Sequence, residues 1–249
     1  MKVLVCLGHV PDTTTKIRLT DGNTRLDQNG IQWVINPWDE LALTRAVELL
    51  EDAGNPVSEV IVVTVGDESC EPTIRKALAI GADRGVRINM VPSAADEVAI
   101  QIAGMIKAES FDLVFSGIES SDYNGSAVGA MVAELLDWNS VSAVSGIRMV
   151  GAELEVTRDV DGGHEELKVA LPLVVVVQKG IAKEPRIPAM RGIMMARKKP
   201  LDLLQPFDAS RTTSMVGFEL PAPKPPCRMV NAAEVGELVR LLQNEAKVL

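Results

Sequence analysis

The feature that most constrains the fold of this chain is an alternation of short aliphatic runs with helical patterns through its first half. Runs at residues 3–7, 59–65, 85–88 and 112–115 are each followed by a polar loop and then by apolar residues at helical spacing. Repeated β-loop-α units form parallel sheets that carry helices on both faces. The sequence therefore predicts an α/β fold built on a mostly parallel sheet.

Local signals set the expected ends of the helices. Asn36 is a favoured N-cap, Pro37 suits the first helical position, and Asp39 complements the helix dipole. Gly81 is a typical residue to follow a helix. Residues 93–96 resemble a capping box. The next helix is predicted to place its apolar residues on one side, and these are Val128, Met131 and Leu135.

The pattern changes after residue 138. Alternating residues on both sides of Asp161-Gly162-Gly163 predict a β-hairpin, and residues 173–177 read as a buried strand. Residues 180–226 are rich in Pro and Gly, so they are predicted to form an arm that wraps another surface. An amphipathic helix is expected at 232–247. We expect residues 1–200 to form the α/β domain and residues 201–249 to form a C-terminal arm and helix that pack on a partner.

Composition excludes several classes of protein. Lys and Arg number 25 against 34 Asp and Glu, and the resulting net charge of −9 argues against a nucleic-acid binder. Three distant cysteines fit a reducing compartment, and two histidines exclude a His-rich metal site. The chain shows no signal or transit peptide and no apolar run long enough to span a membrane. The expected location is the cytoplasm, or the mitochondrial matrix in a eukaryote.

Three loops are expected to converge at the carboxyl edge of the sheet, where open α/β sheets bind ligands. They are residues 8–12, 65–69 and 117–129, and the third is rich in small and polar residues and opens a helix. Free N–H groups at a helix start bind anions. Spacing alone leaves a nucleotide site and an ordinary helix cap equally open. Because no catalytic constellation accompanies these loops, we expect a carrier or binding role and no catalytic residue.

A basic segment follows the buried strand. Residues 179–199 carry seven Lys or Arg and one acid, a net charge of +6, which leaves −15 for the remainder. Met190, Ile193 and two further methionines lie among these cations. Methionine is an adaptable contact residue and cations steer acidic partners, so the segment is predicted to be a docking surface. The alternative is an ordinary solvated loop.

The chain resembles the β subunit of electron-transfer flavoproteins from residue 1 to about residue 204. The resemblance rests on several motifs together, and these are residues 2–6 with Val10-Pro11-Asp12, Asn36-Pro37-Trp38-Asp39-Glu40, residues 74–84, Asp161-Gly162-Gly163, Glu184-Pro185-Arg186 and Ala196-Arg197-Lys198-Lys199. Each motif alone is weak, whereas their joint occurrence in this order is highly specific.

The resemblance implies a Rossmann-like, adenine-nucleotide-binding sheet and a heterodimer with an α subunit that carries most of the FAD contacts. Electrons would enter from an acyl-CoA dehydrogenase or another flavin dehydrogenase and leave to a quinone oxidoreductase or another acceptor. The β subunit of the family holds AMP as a structural ligand. In electron-bifurcating relatives a second FAD takes that place.

Site residues follow from matching positions. The AMP or second-FAD site would consist of Cys6, Asn36, Gly66, Gly117, Asp122, Ser126, Ala127, Val128 and Gly129. Thr13 and Trp38 would lie near the FAD bound by the α subunit. Partner docking would involve Met190, Arg191 and Ile193, together with Glu165, which would help to position the FAD domain. Core packing for Trp38 and solvent exposure for Glu165 are the alternatives.

The chain also departs from the family pattern. Ala127 and Val128 replace a Gln and its neighbour, Ile118 and Glu119 replace basic or Gln residues, and Gly8-His9 replaces a Lys-containing pair. Fewer side-chain donors then reach the phosphates, which favours AMP over a second FAD. Outside the electron-carrier class, the main alternative is a stand-alone adenine-nucleotide-binding regulatory protein.

Overall fold

The computed structural model describes residues 1–150, 153–208 and 212–249 of the chain. It divides into two compact units, Met1–Val216 and Gly217–Leu249. The first unit begins with the strands β1 Lys2–Cys6, β2 His9–Pro11, β3 Leu19–Thr20, β4 Arg25–Leu26 and β5 Trp33–Ile35, the helix α1 Pro37–Glu51, strand β6 Glu59–Gly66, helix α2 Glu71–Ile80, strand β7 Arg84–Asn89 and helix α3 Ala95–Ala108. It continues with β8 Leu113–Gly117, α4 Val128–Leu136, β9 Asn139–Val150, β10 Glu153–Val160, β11 Gly163–Val169, β12 Leu173–Val177, α5 Met190–Ala196 and β13 Leu201–Leu204.

A nine-stranded sheet in the order β11-β10-β9-β12-β8-β1-β6-β7-β13 forms the centre of the first unit. The seven strands from β9 to β13 in that order are parallel, and β10 and β11 add an antiparallel hairpin at one edge. One buried cluster joins α1 and α2 to one face, and a second joins α3 and α4 to the other. The prediction of an α/β fold with a mostly parallel, doubly wound sheet and a β-hairpin is confirmed.

Two expectations about helix starts were wrong in their detail. Asn36 precedes α1, but its side chain makes no capping bond and reaches the loop after β8 instead. Residues 93–96 do not form a capping box. The N–H and hydroxyl of Ser93 both donate to the carboxylate of Glu97, while Asp96 accepts bonds from Thr212.

The apolar residues predicted for one side of α4 divide between the core and the surface, because Val128 packs against the second buried cluster. Met131 and Leu135 are exposed, whereas Val132 and Ala133 point into the core. The helix is apolar almost all round, so its sequence does not indicate which face is buried.

The region after residue 180 is more regular than the sequence indicates. Leu201–Leu204 form β13, which pairs with β7 at the sheet edge, so this part of the predicted arm is a strand. Beyond them, Gln101 exchanges two hydrogen bonds with the backbone of Phe207, at 2.6 and 2.9 Å. The chain is therefore held to the first unit past residue 200.

The second unit, Gly217–Leu249, contains the helix α6 Val235–Leu241 and a π-helical turn, Leu242–Ala246. The amphipathic helix predicted for residues 232–247 begins three residues later than expected, at Val235. Its apolar residues Val235, Leu238 and Val239 are exposed. None of the helices in the described ranges combines the length and the hydropathy that crossing a membrane requires.

Lys199 stabilises the end of α2. Its Nζ donates to the carbonyls of Leu78, Gly81 and Ala82, at 3.0, 3.4 and 2.6 Å. The carbonyl of Leu78 lies in the last turn of α2, where the helix supplies no N–H partner, and Gly81 and Ala82 follow the helix directly. A cation there also complements the helix dipole.

We predict that Lys199→Met lowers the free energy of unfolding by about 1–2 kcal/mol, because these carbonyls then lose a charged donor. Lys198→Met is the matched control, since Lys198 is exposed, and we expect a change within about 0.5 kcal/mol. Denaturant unfolding measures both. Equal losses for the two variants would show that the contacts of Lys199 contribute nothing specific.

Candidate functional site

The carboxyl ends of β8, β1 and β6 lie side by side in the sheet. The three predicted ligand loops therefore leave the sheet from the same edge. The structure joins two of them through a single carboxylate, because Asp39 accepts the N–H of Gly8 and the N–H of Gly117, both at 2.7 Å. Gly8 follows β1 and Gly117 ends β8, so α1 fixes the distance between the two loops.

Asn36 adds a second connection from the start of α1. Its Nδ2 donates to the carbonyl of Glu119 at 2.9 Å, and its Oδ1 accepts the N–H of Ser121 at 3.1 Å. Asn36 and Asp39 are both buried. We call this set of contacts between the first turn of α1 and residues 8, 117, 119 and 121 the α1 junction.

The α1 junction holds a carboxyl group with an unusual pKa. Burial raises the pKa of Asp39 to about 6, although hydrogen bonds from Gly8, Asn36 and Gly117 oppose the rise, and the nearby Asp122 adds to it. The adjacent Cys6 thiol is also buried, and burial together with Asp39 raises its pKa far above its ordinary value. Cys6 is therefore a neutral thiol at the floor of this edge.

The loop from β8 to α4 supplies free backbone donors. Asp122 and Ser126 are exposed, Ala127 and Val128 are half-buried, and Gly129 is buried. Because no side chain caps α4, its first N–H groups have no side-chain acceptor at the cap position. Ser126 adopts a left-handed backbone conformation, with φ at 47°. An anion placed at this helix start would meet several N–H donors.

Glycines allow the loops and strands to approach closely. A Cβ built on Gly129 would lie 2.9 Å from a methyl group of Val176, and one on Gly66 would clash with the Sγ of Cys70. Gly66 also receives a hydrogen bond at its carbonyl from the buried guanidinium of Arg87, at 3.2 Å. Neither Gly66 nor Gly129 has room for a side chain, so only their backbone atoms can contact a ligand.

His9 forms a separate cluster at the same edge. Its ring stacks on Trp33 with centroids 4.5 Å apart, and its Nδ1 lies 2.8 Å from the hydroxyl of Thr73. Burial lowers the pKa of His9, with Asp67 opposing this, so a neutral imidazole is favoured. The sequence does not predict this packing, because nothing near His9 in the chain pairs it with Trp33 or Thr73.

Two side chains at this edge each hold a polar atom that the fold leaves unsatisfied. In the described part of the chain, His9 Nε2 and Ser121 Oγ are buried and have no hydrogen-bond partner. Buried polar groups are normally satisfied, so orphaned ones point to a missing partner. These atoms and the free N–H groups of α4 mark this edge as the candidate site for a ligand.

Comparisons with known proteins show the family of this chain. Residues 24–208 match the family model described as the electron transfer flavoprotein domain. The chain belongs to the electron transfer flavoprotein family. It is 34% identical to the electron transfer flavoprotein subunit beta of Bacillus subtilis over the full length of both chains. It is 37% identical to that of Syntrophomonas wolfei, covering 90% of this chain and 87% of the relative, and 36% identical to that of Homo sapiens, covering 84% and 82%.

The residues expected near a flavin lie beside the short ladder of β2 and β5 in this electron transfer flavoprotein chain. Trp38 is half-buried two positions into α1, and Thr13 is exposed after β2. His9 pairs with Ile35 and Pro11 with Trp33. Because the ladder is antiparallel, Thr13 and Trp38 lie beyond opposite ends of it, so the structure does not bring them into direct contact.

The residues predicted for docking are exposed on α5. Met190 is 75% exposed and Ile193 43% exposed, and Arg191 is also at the surface. The helix is fixed on α2, because a Cβ on Gly192 would clash with the carbonyl of Ala79 and because Arg75 donates to the carbonyls of Ala196 and Lys199. A groove of about 470 Å³ opens between the two helices.

The cations of the basic segment fall into two groups, those that bond the fold and those that stay exposed. Lys199 caps α2, and Arg186 forms two hydrogen bonds to Glu51, at 2.7 and 2.8 Å. Lys183, Arg191, Arg197 and Lys198 remain exposed around the methionines. Glu165, the other residue predicted for docking, lies on β11 and not on α5. It is exposed and forms an ion pair with Arg158 at 2.8 Å.

Asp39 is the main residue that sequence reasoning missed. Its position in the sequence indicates only a complement to the helix dipole, whereas in the structure it links two strand ends. The available signal was its place three residues after Asn36, in a helix that opens at the sheet edge opposite glycines 8 and 117. Only the strand order shows that those glycines are neighbours.

Proposed function

We propose that this chain is the β subunit of an electron transfer flavoprotein. It pairs with an α subunit, and the pair carries electrons from an acyl-CoA dehydrogenase or another flavin dehydrogenase to a quinone oxidoreductase or another acceptor. The match to β subunits along the full chain is the observation that supports this proposal most directly. FAD, held mainly by the α subunit, would take up and release the electrons.

In this proposal the chain helps to bind and orient the flavin and docks onto the electron donor, and it performs no acid–base chemistry. Trp38 would bound the flavin on the β side and Thr13 would lie at its margin. Met190, with Arg191 and Ile193, would contact the electron donor, and Glu165 would help to position the FAD-carrying domain. The C-terminal residues 201–249 would add contacts to the α subunit, for which α6 offers an exposed apolar side.

We further propose that the loop cluster holds AMP. The first N–H groups of α4 would bind the phosphate beside Asp122, Ser126 and Ala127, and Cys6, Asn36 and Gly66 would line the adenosine. The loops at 8–12, 65–69 and 117–129 contain five acids and no Lys or Arg. Additional phosphates would meet no cation from these loops, which favours a monophosphate over a second FAD.

The test is mass-spectrometric identification of the nucleotides released from the purified heterodimer, made by co-expression with an α subunit from the same genome. We expect a yellow complex with one FAD and one AMP. Two FAD per heterodimer would support the electron-bifurcating type. A complex without flavin would reject the electron-carrier proposal, and nucleotide binding by the chain alone without any α subunit would support a regulatory protein.

We predict that Met190→Glu slows reduction of the heterodimer by its dehydrogenase at least about tenfold, because a charge replaces an exposed apolar contact among cations that favour an acidic partner. FAD content should not change, because Met190 lies on α5 and not at the loop cluster. Stopped-flow reduction measures the rate. Val91→Glu, at a residue that is 69% exposed in the β7–α3 loop, is the control and should behave like the parent.

A further inference from the structure

Three nearby residues at the start of α1 close the space beside Gly117. A Cβ built on Gly117 would lie 2.5 Å from Asp39 Oδ1, 2.8 Å from Trp38 Cβ and 3.2 Å from Asn36 Nδ2. The same short segment of helix therefore carries the side chain that bonds the ligand loops and the side chain that the proposed function places beside the flavin.

These contacts leave little room for independent movement. The bonds from Asn36 and Asp39 are 2.7 to 3.1 Å long, and both residues are buried. Close-packed interiors transmit displacement because they contain few voids that could absorb it. A ligand that shifts residues 117–121 would therefore also shift the first turn of α1.

We propose that Asp39 is a positioning residue that couples occupancy of the nucleotide loops to Trp38, and through Trp38 to the flavin. The proposal rests on the proposed function, since it takes AMP at the loop cluster and FAD beside Trp38. Coupling between two sites is reciprocal. In this proposal AMP changes the relative stability of the oxidised and the reduced flavin, so the affinity for AMP differs between the two flavin states by the same factor.

The chemistry of the side chain makes Asp39 the residue to change. Each of its two oxygens accepts one N–H, from Gly8 and from Gly117. In Asp39→Asn the shape is kept, but one acceptor becomes an NH₂ donor that faces another N–H donor. One of the two connections is lost while the volume of the side chain stays the same.

The experiment measures the dissociation constant of AMP for the nucleotide-free heterodimer by calorimetry, once with oxidised flavin and once after anaerobic reduction with dithionite. In the parent we expect the two constants to differ at least about fivefold. In Asp39→Asn we expect their ratio to fall close to 1. Glu40→Gln is the matched control, because Glu40 bonds Lys76 outside the junction, and it should keep the parental ratio.

The outcomes separate coupling from mere support of the fold. If Asp39→Asn weakens both constants equally and keeps the ratio, Asp39 is only structural and the proposal is overturned. A parental ratio of 1 overturns it while leaving AMP binding intact. A parent that binds no AMP in either state removes the proposed nucleotide itself. If Asp39→Asn does not assemble, Asn36→Ser cuts the second connection, and an unchanged ratio there also overturns the proposal.

Discussion

Gly117→Ala is expected to lower the free energy of unfolding by about 1–3 kcal/mol and to release the bound nucleotide during purification. The added methyl group would lie 2.5 Å from the carboxylate of Asp39 and 2.8 Å from Trp38 Cβ, so the first turn of α1 must move away from β8. That movement breaks the bond from Gly117 to Asp39 and displaces the loop that we propose binds AMP.

Gly125→Ala is the matched control for this prediction. Gly125 lies in the same loop, but a Cβ there has no atom within 4 Å. We expect parental stability and parental nucleotide content, measured by thermal unfolding and by mass spectrometry of the released nucleotides. If both variants lose AMP alike, the loop is sensitive to any side chain and the α1 junction is not what positions it.

The parallel core could be predicted because its central strands are nearly uninterrupted aliphatic runs. Such runs are recognisable without tertiary information, and Leu173–Val177 is buried at every position in the structure. The hairpin could be predicted for a similar reason, since Asp161-Gly162 closes the two-residue turn between β10 and β11. These features depend on local chemistry alone.

The elements that were missed depend on distant partners. β9 is 12 residues long and pairs with β12 and then with β10, yet it carries Ser, Gly and Arg and shows no regular period. β13 is only four residues long and becomes a strand because β7 offers it an open edge. Edge and mixed strands are specified by their neighbours more than by propensity.

The candidate site also has one part that local sequence predicts and one part that depends on distant partners. Glycines and small residues in the loop after β8 indicate a ligand loop from the sequence alone. The role of Asp39 could not be predicted, because its two hydrogen-bond donors lie 31 residues before it and 78 residues after it in the chain. Burial of a carboxylate at a helix start also runs against the usual expectation that such acids are solvated.

The second large effect is a pH dependence that Asp39→Asn should remove. Burial raises the pKa of Asp39 from 3.8 to about 6, so the folded state holds this proton more tightly than the unfolded state. The stabilisation from this group is complete below about pH 4 and is lost as the pH rises through about 6. One pKa unit corresponds to about 1.4 kcal/mol, so the loss amounts to about 3 kcal/mol.

Asparagine does not titrate, so the variant lacks this loss. The unfolding free energy of Asp39→Asn minus that of the parent should therefore rise by about 3 kcal/mol between about pH 4 and pH 7. Denaturant unfolding at intervals of about one pH unit measures this difference, in which all unchanged groups cancel. Asp39 interacts electrostatically with two titratable groups, Cys6 and Asp122. The midpoint of the rise therefore reports the pKa of Asp39 in the presence of these two neighbours.

Glu51→Gln provides a control of opposite sign. The hydrogen bonds from Arg186 lower the pKa of Glu51, so this carboxylate stabilises the fold above its unfolded pKa and loses that effect as the pH falls. Its variant-minus-parent difference should therefore decline as the pH rises, and by less than about 1 kcal/mol because the pair is exposed. If the variant-minus-parent difference for Asp39→Asn also declines with pH or stays flat, ionising Asp39 costs the folded state nothing. The carboxylate is then better solvated at the α1 junction than its burial indicates.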